Sequence, residues 1–194
     1  MVSLALPIGS AFVAEIKSSE TALRFWRDAG PQKWFTADPA FDAECRTKFL
    51  GTYEIAASGG LLDWEATRDG RLALVIVLDQ LPRNMFRGTP QAYATDALAR
   101  AAADRALARH DDQALVIDER TFLYLPFTHS EDMADQQRGL ALYRAFGDAD
   151  GLKYAEIHAD IIARFGRFPH RNGILGRPTT AAEQAFLEAG GFAG

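Results

Sequence analysis

The sequence contains a single cysteine, Cys45, so the chain cannot form an internal disulfide bond. A domain of 194 residues does not need one, because it buries roughly 70% of the surface of its unfolded chain. The scarcity of cysteine suits the reducing cytoplasm, which we predict as the location of the protein. Cys45 lies within a helical pattern of apolar residues, which favours a buried packing side chain over a nucleophile.

Long apolar runs are also missing. The longest strongly apolar run, LALVIVL at 72–78, is far shorter than the roughly 20 residues that cross a bilayer. The N-terminal stretch MVSLALPIGSAFVAEI lacks the Lys or Arg that precedes the apolar run of a secretion signal. The sequence therefore predicts neither a membrane span nor export.

The chain has no excess of positive charge. Its formal net charge is -5, which disfavours nucleic-acid and anionic-membrane binding, since both use clusters of Lys and Arg. A hydrophobic fraction of 48% and a charged fraction of 24% are typical of an ordinary globular protein. These values exclude a disordered chain and still allow a local basic site.

Motifs of common cofactor and metal sites are missing as well. The chain has no glycine-rich phosphate loop, dinucleotide fingerprint, HExxH motif or paired cysteines. We therefore predict no cofactor and no metal site. Ser130 lacks the glycine frame of a nucleophile elbow, which favours a helix-capping role for its hydroxyl.

Helix signals dominate what is present, and no hairpin signal accompanies them. Asp38 and Pro39 form a helix start, with apolar residues following every four positions. The apolar run at 72–81 could be a buried strand, but the neighbouring helices favour a helix. We expect this helix to end near Gln80, because Pro82 disfavours the helical conformation in the residue before it.

Further helix starts follow in the second half of the chain. Thr89 precedes an alanine-rich segment with high helix propensity. Thr128 with Glu131, and Thr180 with Glu183, have the spacing of capping boxes, each ahead of an amphipathic helix. The sequence therefore predicts a single all-α domain built as an antiparallel helical array.

Three polar clusters interrupt this apolar scaffold, and each follows a helix end or a proline. Loops that only turn the chain use Gly, Asn, Asp, Ser and Pro, whereas these clusters are rich in arginine. The guanidinium fork matches carboxylate or phosphate groups, so several forks near one point indicate an oxyanion. The clusters are Asp79, Gln80, Arg83, Asn84 and Arg87; Tyr124, His129, Ser130, Glu131 and Asp132; and Arg167, His170, Arg171, Asn172 and Arg177.

These clusters supply the candidate site residues. His129 and His170 flank prolines in polar loops, and with Glu131 they are candidates for acid or base catalysis. His158 shares a helix face with Ile161 and other apolar residues, which favours a hydrogen-bonded core histidine. The candidates for ligand binding are Arg83, Asn84, Arg87, Ser130, Arg167, Arg171 and Asn172. The alternative is structural, with the same arginines paired to acidic side chains of the loops as buried ion networks.

Three segments carry a resemblance to a known family: WEATRDGRLALVIVLDQLPRNMFRGTPQAYATD, FLYLPFTHSEDMADQQ and RFGRFPHRNGILGRPTTAAEQAFL. Together they resemble the bacterial domain-of-unknown-function 924 family, over roughly Thr21 to Phe192. The resemblance implies an all-helical fold related to tetratricopeptide repeats, and it implies no established reaction. Residues 1–17 fall outside the family pattern, so we predict an N-terminal extension followed by one domain at 18–194.

Two classes of function remain open from the sequence. In the first, the polar loops meet in a pocket that binds a small anionic molecule, either phosphate or carboxylate, and that pocket can also be catalytic. In the second, the tetratricopeptide-like array is a scaffold whose groove binds a peptide or a partner protein. A groove lined by Trp26, Trp34 and Phe35 would favour the second class, while nucleic acid is a third and less favoured partner.

Overall fold

The computed structural model describes residues 15–192, and within them every regular element is helical. The single all-α domain predicted from the sequence is confirmed. The predicted extension, residues 1–17, lies almost entirely outside the described residues, and the tetratricopeptide-like arrangement stays a prediction. The α-helices are α1 (Ser19–Ala29), α2 (Pro31–Trp34), α3 (Pro39–Ala57), α4 (Arg68–Met85), α5 (Asp96–Leu107), α6 (Ile117–Thr128), α7 (Met133–Phe146), α8 (Ala149–Phe165) and α9 (Ala181–Glu188). Short 3-10 helices cover Leu62–Ala66, Pro90–Tyr93, Asp111–Ala114 and Pro169–Arg171.

Helix α4 is the centre of the fold, with α1, α3, α5 and α6 packed around it. Its residues from Gly70 to Pro82 are buried without a break, because the apolar run faces neighbouring helices on all sides. The preference for a helix over a strand is confirmed here. Most of the first polar cluster lies in the last turns of α4 itself. The third cluster lies at 166–180 between α8 and α9, a segment that we call the third motif loop.

The predicted end of α4 near Gln80 is wrong, because the helix continues through Pro82 to Met85. Proline has no backbone N–H to donate to the carbonyl four residues earlier, which belongs to Leu78. The hydroxyl of Thr95 donates to that Leu78 carbonyl oxygen at 2.6 Å and satisfies it. A side chain from the next helical segment thus compensates for the bond that proline removes.

The two predicted capping boxes have different outcomes. The box at Thr180 and Glu183 is confirmed, with both reciprocal hydrogen bonds present. The box at Thr128 and Glu131 is wrong, because Thr128 is the last residue of α6 and Asp132 caps α7. Glu131 is thereby available for contacts with the third motif loop.

Residues 15–192 form two apolar cores. The main core surrounds α4 and includes Cys45, which is fully buried as predicted. Burial raises the pKa of the Cys45 thiol to about 12, so the thiol stays protonated at neutral pH. A smaller core of Ile161, Ile162 and Phe168 lies where α8 meets the third motif loop.

Close packing between α7 and α8 depends on Gly151. A Cβ atom added there would lie 2.3 Å from Tyr143 Cε1 and 2.5 Å from Asp148 Oδ2. Tyr143 is buried and its hydroxyl is bonded to Thr121, so its ring has no free space to enter. We expect Gly151→Ala to lower the free energy of unfolding by about 1–3 kcal/mol, measured by urea denaturation.

Gly173→Ala is the matched control for this prediction. A Cβ atom at Gly173 would have no neighbour within 4 Å, so the same change of residue type adds no clash. We expect its urea midpoint to stay close to that of the parent protein. Equal loss of stability in the two variants would contradict the packing argument.

Candidate functional site

Parts of all three polar clusters meet at one place in the fold. His129 Nδ1 lies 2.9 Å from Asp79 Oδ1 of α4, and Arg171 Nη1 donates to the His129 carbonyl oxygen at 3.0 Å. The His158 ring of α8 lies 6.5 Å from the His129 ring, measured between centroids. We define the histidine–arginine site as His129, His158, His170 and Arg171, of which the last three contact Phe168.

A salt bridge holds the third motif loop in place beside this site. Arg177 donates to both carboxylate oxygens of Glu131, at 2.6 Å and 3.0 Å. Glu131 also accepts from the backbone N–H of Phe168 at 2.8 Å, where the loop turns into its 3-10 helix. Burial opposes ionisation, but these hydrogen bonds hold the pKa of Glu131 below its usual range. Through these contacts Glu131 holds the third motif loop, which carries Arg171, in place.

Asp79 and His129 form a buried pair. Asp79 is fully buried, and its carboxylate accepts a hydrogen bond from Gln80 Nε2 and forms an ion pair with Arg83 Nη1. Burial raises the pKa of Asp79, but the charge of Arg83 and the contact with His129 outweigh it and hold that pKa well below its usual range. Burial and the Arg83 guanidinium lower the pKa of His129, so its ring is neutral at pH 7.

The charge state of this pair determines the tautomer of His129. An ionised carboxylate only accepts hydrogen bonds, so His129 must donate through Nδ1–H to Asp79. The other ring nitrogen, Nε2, then carries a free lone pair. No hydrogen bond to Nε2 is found among residues 15–192, and the His129 side chain is 14% exposed.

Four buried nitrogen atoms of the site have no hydrogen-bond partner among the described residues. They are Nδ1 and Nε2 of His158, Nδ1 of His170 and Nε of Arg171. Such groups cost about 1–3 kcal/mol each when they are left unpaired, so native proteins rarely concentrate them in one place. The burial predicted for His158 is confirmed, but the predicted hydrogen bond is not found among these residues.

Two phenylalanines bring these unpaired groups together. The His158 ring lies 5.4 Å from the Phe168 ring and 4.6 Å from the Phe192 ring. The His170 ring lies 5.6 Å and 5.5 Å from the same two rings. The Arg171 guanidinium carbon lies 4.4 Å from the centroid of the Phe168 ring, so aromatic rings contact all three residues that carry the unpaired nitrogens.

Both unpaired histidines are neutral at pH 7. Burial lowers the pKa of His158 to about 3, with smaller contributions from His129 and Arg171. Burial and then the Arg171 charge lower the pKa of His170 to about 4. A neutral imidazole has one donor and one acceptor nitrogen, so His158 leaves one of each unpaired, while His170 leaves Nδ1 unpaired.

The structure separates several other predicted residues from this site. Arg87 donates to both carboxylate oxygens of Asp42, at 2.6 Å and 2.9 Å, and Asn84 donates to the same carboxylate at 2.8 Å. Arg167 forks onto Glu183 at 2.6 Å and 3.0 Å. These arginines pair with protein carboxylates, as in the structural alternative raised by the sequence.

Three further candidates have protein partners close to the site. Ser130 Oγ donates to Asp135 at 2.6 Å and accepts from the backbone N–H of Asp132, in keeping with a role at the start of α7. The Asn172 side chain is buried and accepts from Arg177 at 3.1 Å. Arg83 forks onto Asp96 at 3.0 Å and 3.1 Å, and it donates to the Asp79 carbonyl oxygen as well.

Comparison with known proteins assigns the chain to a family. Residues 22–191 match the model of the family described as "Bacterial protein of unknown function (DUF924)". The chain belongs to the DUF924 family. Its fold is similar to the solved structure of the protein of unknown function ATU0120 from Agrobacterium tumefaciens, with 48% sequence identity and a TM-score of 0.85. That match covers 88% of this chain and 97% of the other. No curated protein matches the chain.

Sequence reasoning missed several groups that complete the site of this DUF924 protein. The centroid of the Tyr93 ring lies 4.6 Å from the guanidinium carbon of Arg171. Asp96 neutralises Arg83 from the first turn of α5, where the alanine-rich pattern concealed its role. In the sequence, Phe168 and Phe192 are recognisable only as apolar residues. Their contacts with the histidines depend on the tertiary fold.

A surface cleft adjoins the site of the DUF924 chain at Phe192. The cleft has a volume of about 430 Å³ and runs between α8 and the C-terminal residues. Phe192 lines the cleft and also contacts His158, so this ring stands between the cleft and the unpaired nitrogens. The cleft lining consists of Lys153, Glu156, Ile157, Asp160, Ile161, Phe186 and Phe192.

Residues 15–192 contain neither a cluster of metal ligands nor a membrane-spanning helix. No group of three or more His, Cys, Asp or Glu side chains is arranged to hold a metal ion. No helix in this part of the chain has both the length and the apolar character needed to cross a membrane.

Proposed function

We propose that this DUF924 protein binds a small anionic molecule, with a phosphate or carboxylate group, at the histidine–arginine site. The observation that carries the proposal is the set of four unpaired buried nitrogens on His158, His170 and Arg171. An oxyanion accepts hydrogen bonds from several N–H donors at once and would satisfy the donors in this set.

Arg171 is the residue that we assign to the ligand charge. Its Nη1 donates to a backbone carbonyl, and its nearest carboxylate oxygen is Asp96 Oδ2 at 3.8 Å. Arg83 already donates hydrogen bonds to both carboxylate oxygens of Asp96. The Asp96 charge is therefore shared between Arg83 and Arg171. Burial and the Arg83 charge lower the pKa of Arg171, and a bound anion would relieve both effects.

The remaining candidates receive supporting roles in this proposal. Glu131 orients the loop through Arg177, while Arg87 and Arg167 fasten loops to α3 and α9 through their carboxylate partners. His170 contributes an unpaired ring nitrogen to the ligand.

Thermal melting tests the proposal, with inorganic phosphate, sulfate, acetate and citrate as separate probes. A probe at a hundred times its dissociation constant stabilises the folded state by about 2.7 kcal/mol, a shift of roughly 5–10 °C for a chain of this size. We expect such a shift in the parent protein. Arg171→Lys should abolish it, because lysine keeps the charge but loses the Nε–H and the planar fork.

Arg87→Lys is the matched control for the melting experiment. The two variants make the same chemical change, but Arg87 is paired with Asp42 away from the site. We expect the control to retain the full shift of the parent. The proposal fails when no probe shifts the melting temperature, or when both variants lose the shift equally.

The second candidate function is a scaffold that binds a peptide or partner protein through an apolar surface. The supporting observation is Phe35, which is 65% exposed and stacks on Phe122. Trp26 is buried and Trp34 donates its indole N–H to the Trp26 carbonyl, so Phe35 alone of the three aromatics is strongly exposed. Phe35→Ser should leave the anion-induced rise in melting temperature unchanged, and it should weaken only the binding of a peptide or partner protein.

A further inference from the structure

We infer that His129 acts as a general base on a water molecule and that the substrate is an ester carrying an anionic group. This inference rests on the proposed function, because Arg171 and the unpaired histidine nitrogens would hold the anionic group. Asp79 is the positioning residue of the pair, and His129 is the catalytic residue.

The geometry of the pair supports this assignment. His129 follows the C-terminal residue of α6, and Asp79 holds its Nδ1 from the rigid centre of α4 at 2.9 Å. Asp79 is fully buried, and the hydrogen bond from Gln80 to its second carboxylate oxygen helps to fix the orientation of the carboxylate. A base whose one nitrogen is fixed by a carboxylate presents the other nitrogen in a defined direction, which is the arrangement found in acyl-transfer enzymes.

Water is the reactant favoured by the neighbouring side chains. Ser130 Oγ donates to Asp135 and accepts from Asp132, so it is not activated by His129. The Thr128 hydroxyl is buried and donates to the Leu125 carbonyl. Cys45 is buried in the main core, away from the site. With these hydroxyl and thiol groups committed or distant, the base has a water molecule to activate.

The proposed step conserves atoms and charge. Nε2 of His129 takes a proton from water while the water oxygen bonds to the ester carbonyl carbon. The tetrahedral intermediate then collapses, the bond from carbon to the alcohol oxygen breaks, and the imidazolium returns its proton to the departing oxygen. The products are a carboxylic acid and an alcohol, and Asp79 stabilises the imidazolium between the two steps.

The test uses mono(p-nitrophenyl) succinate as an anionic ester and p-nitrophenyl acetate as a neutral ester. We expect the protein to hydrolyse the anionic ester with the higher kcat/KM. His129→Gln should reduce kcat by about 10²–10⁴-fold, the usual contribution of a positioned base. Asp79→Asn should lower kcat with little change in KM, because it misorients the base without removing an anion contact.

A spectroscopic measurement covers the case in which Asp79→Asn does not fold. In ¹⁵N NMR spectra of the parent protein, we expect His129 to be the neutral tautomer with the proton on Nδ1. A proton on Nε2 at pH 7 would overturn the inference, and so would an unchanged rate of hydrolysis in folded His129→Gln.

The same preparations separate the two proposals. If neither ester is hydrolysed faster than in buffer but phosphate or another probe still raises the melting temperature, the general-base inference fails and the anion site stands. If the probes also leave the melting temperature unchanged, both proposals fail.

Discussion

Asp111→Ala should lower the free energy of unfolding by about 3–5 kcal/mol, because it leaves the Arg71 guanidinium charged in a buried place. Arg71 donates through Nε and Nη2 to the two carboxylate oxygens of Asp111, at 2.5 Å and 2.8 Å. Both residues are only 7% exposed, so little water is available to replace the lost partner. The pair joins the first turn of α4 to the 3-10 helix after α5, close to the central packing of the domain.

Urea denaturation measures this effect, with Glu156→Ala as the control. Glu156 pairs with Arg144 at 3.2 Å, but more than half of each side chain is exposed, and such pairs contribute about 0–1 kcal/mol. With a urea dependence of roughly 2 kcal/mol per molar, the Asp111→Ala midpoint should fall by about 1.5–2.5 M. Similar midpoints for the two variants would show that burial does not set the strength of the Arg71 pair.

Acid should destabilise the protein through His158, well above the pH at which carboxylates titrate. The pKa of His158 is about 3 in the folded state, below its usual value near 6.5 in an unfolded chain. The unfolded state therefore binds a proton as the pH falls below 6.5, while the folded state does not. The stability that the neutral ring provides is present above pH 6.5 and is lost as the pH falls towards 3.

His158→Phe tests this dependence, since it removes the titrating group and keeps an aromatic ring in the core. Between pH 7 and pH 5 the parent should lose about 2 kcal/mol more stability than the variant, and the difference should grow at lower pH. The lowered pKa of His170 makes stability depend on pH in the same direction in both proteins, so its contribution cancels when the two are compared. His110→Gln, a change at an exposed position, controls for the loss of an imidazole. A pH dependence equal in parent and His158→Phe would contradict the buried neutral ring.

Much of the fold was predictable because helix signals are local. The start of α3 at Asp38 and Pro39 and the capping box at Thr180 depend on residues three or four positions apart. The end of α4 was missed because the compensation for Pro82 comes from Thr95, which lies beyond a loop. Local rules describe the cost of a proline in a helix, and only the folded chain shows what offsets that cost.

The site was predictable only in part, for a similar reason. The polar clusters pointed to His129, His170 and Arg171, which the fold brings near one another. The same clusters also contained Arg87 and Arg167, whose carboxylate partners lie on other helices. An arginine in a motif looks the same whether or not a distant acid neutralises it, so sequence alone could not separate the two groups.

By itself, the sequence determined that this protein is a helical domain with buried apolar helices and arginine-rich loops. Helix caps, apolar periodicity and proline positions act over a few residues, and their free energies depend little on the remote chain. The tertiary structure alone decided which charges are neutralised and which polar atoms are left without partners. Those outcomes depend on close approach of groups far apart in sequence, and hydrogen bonds and ion pairs lose their strength within a few ångströms.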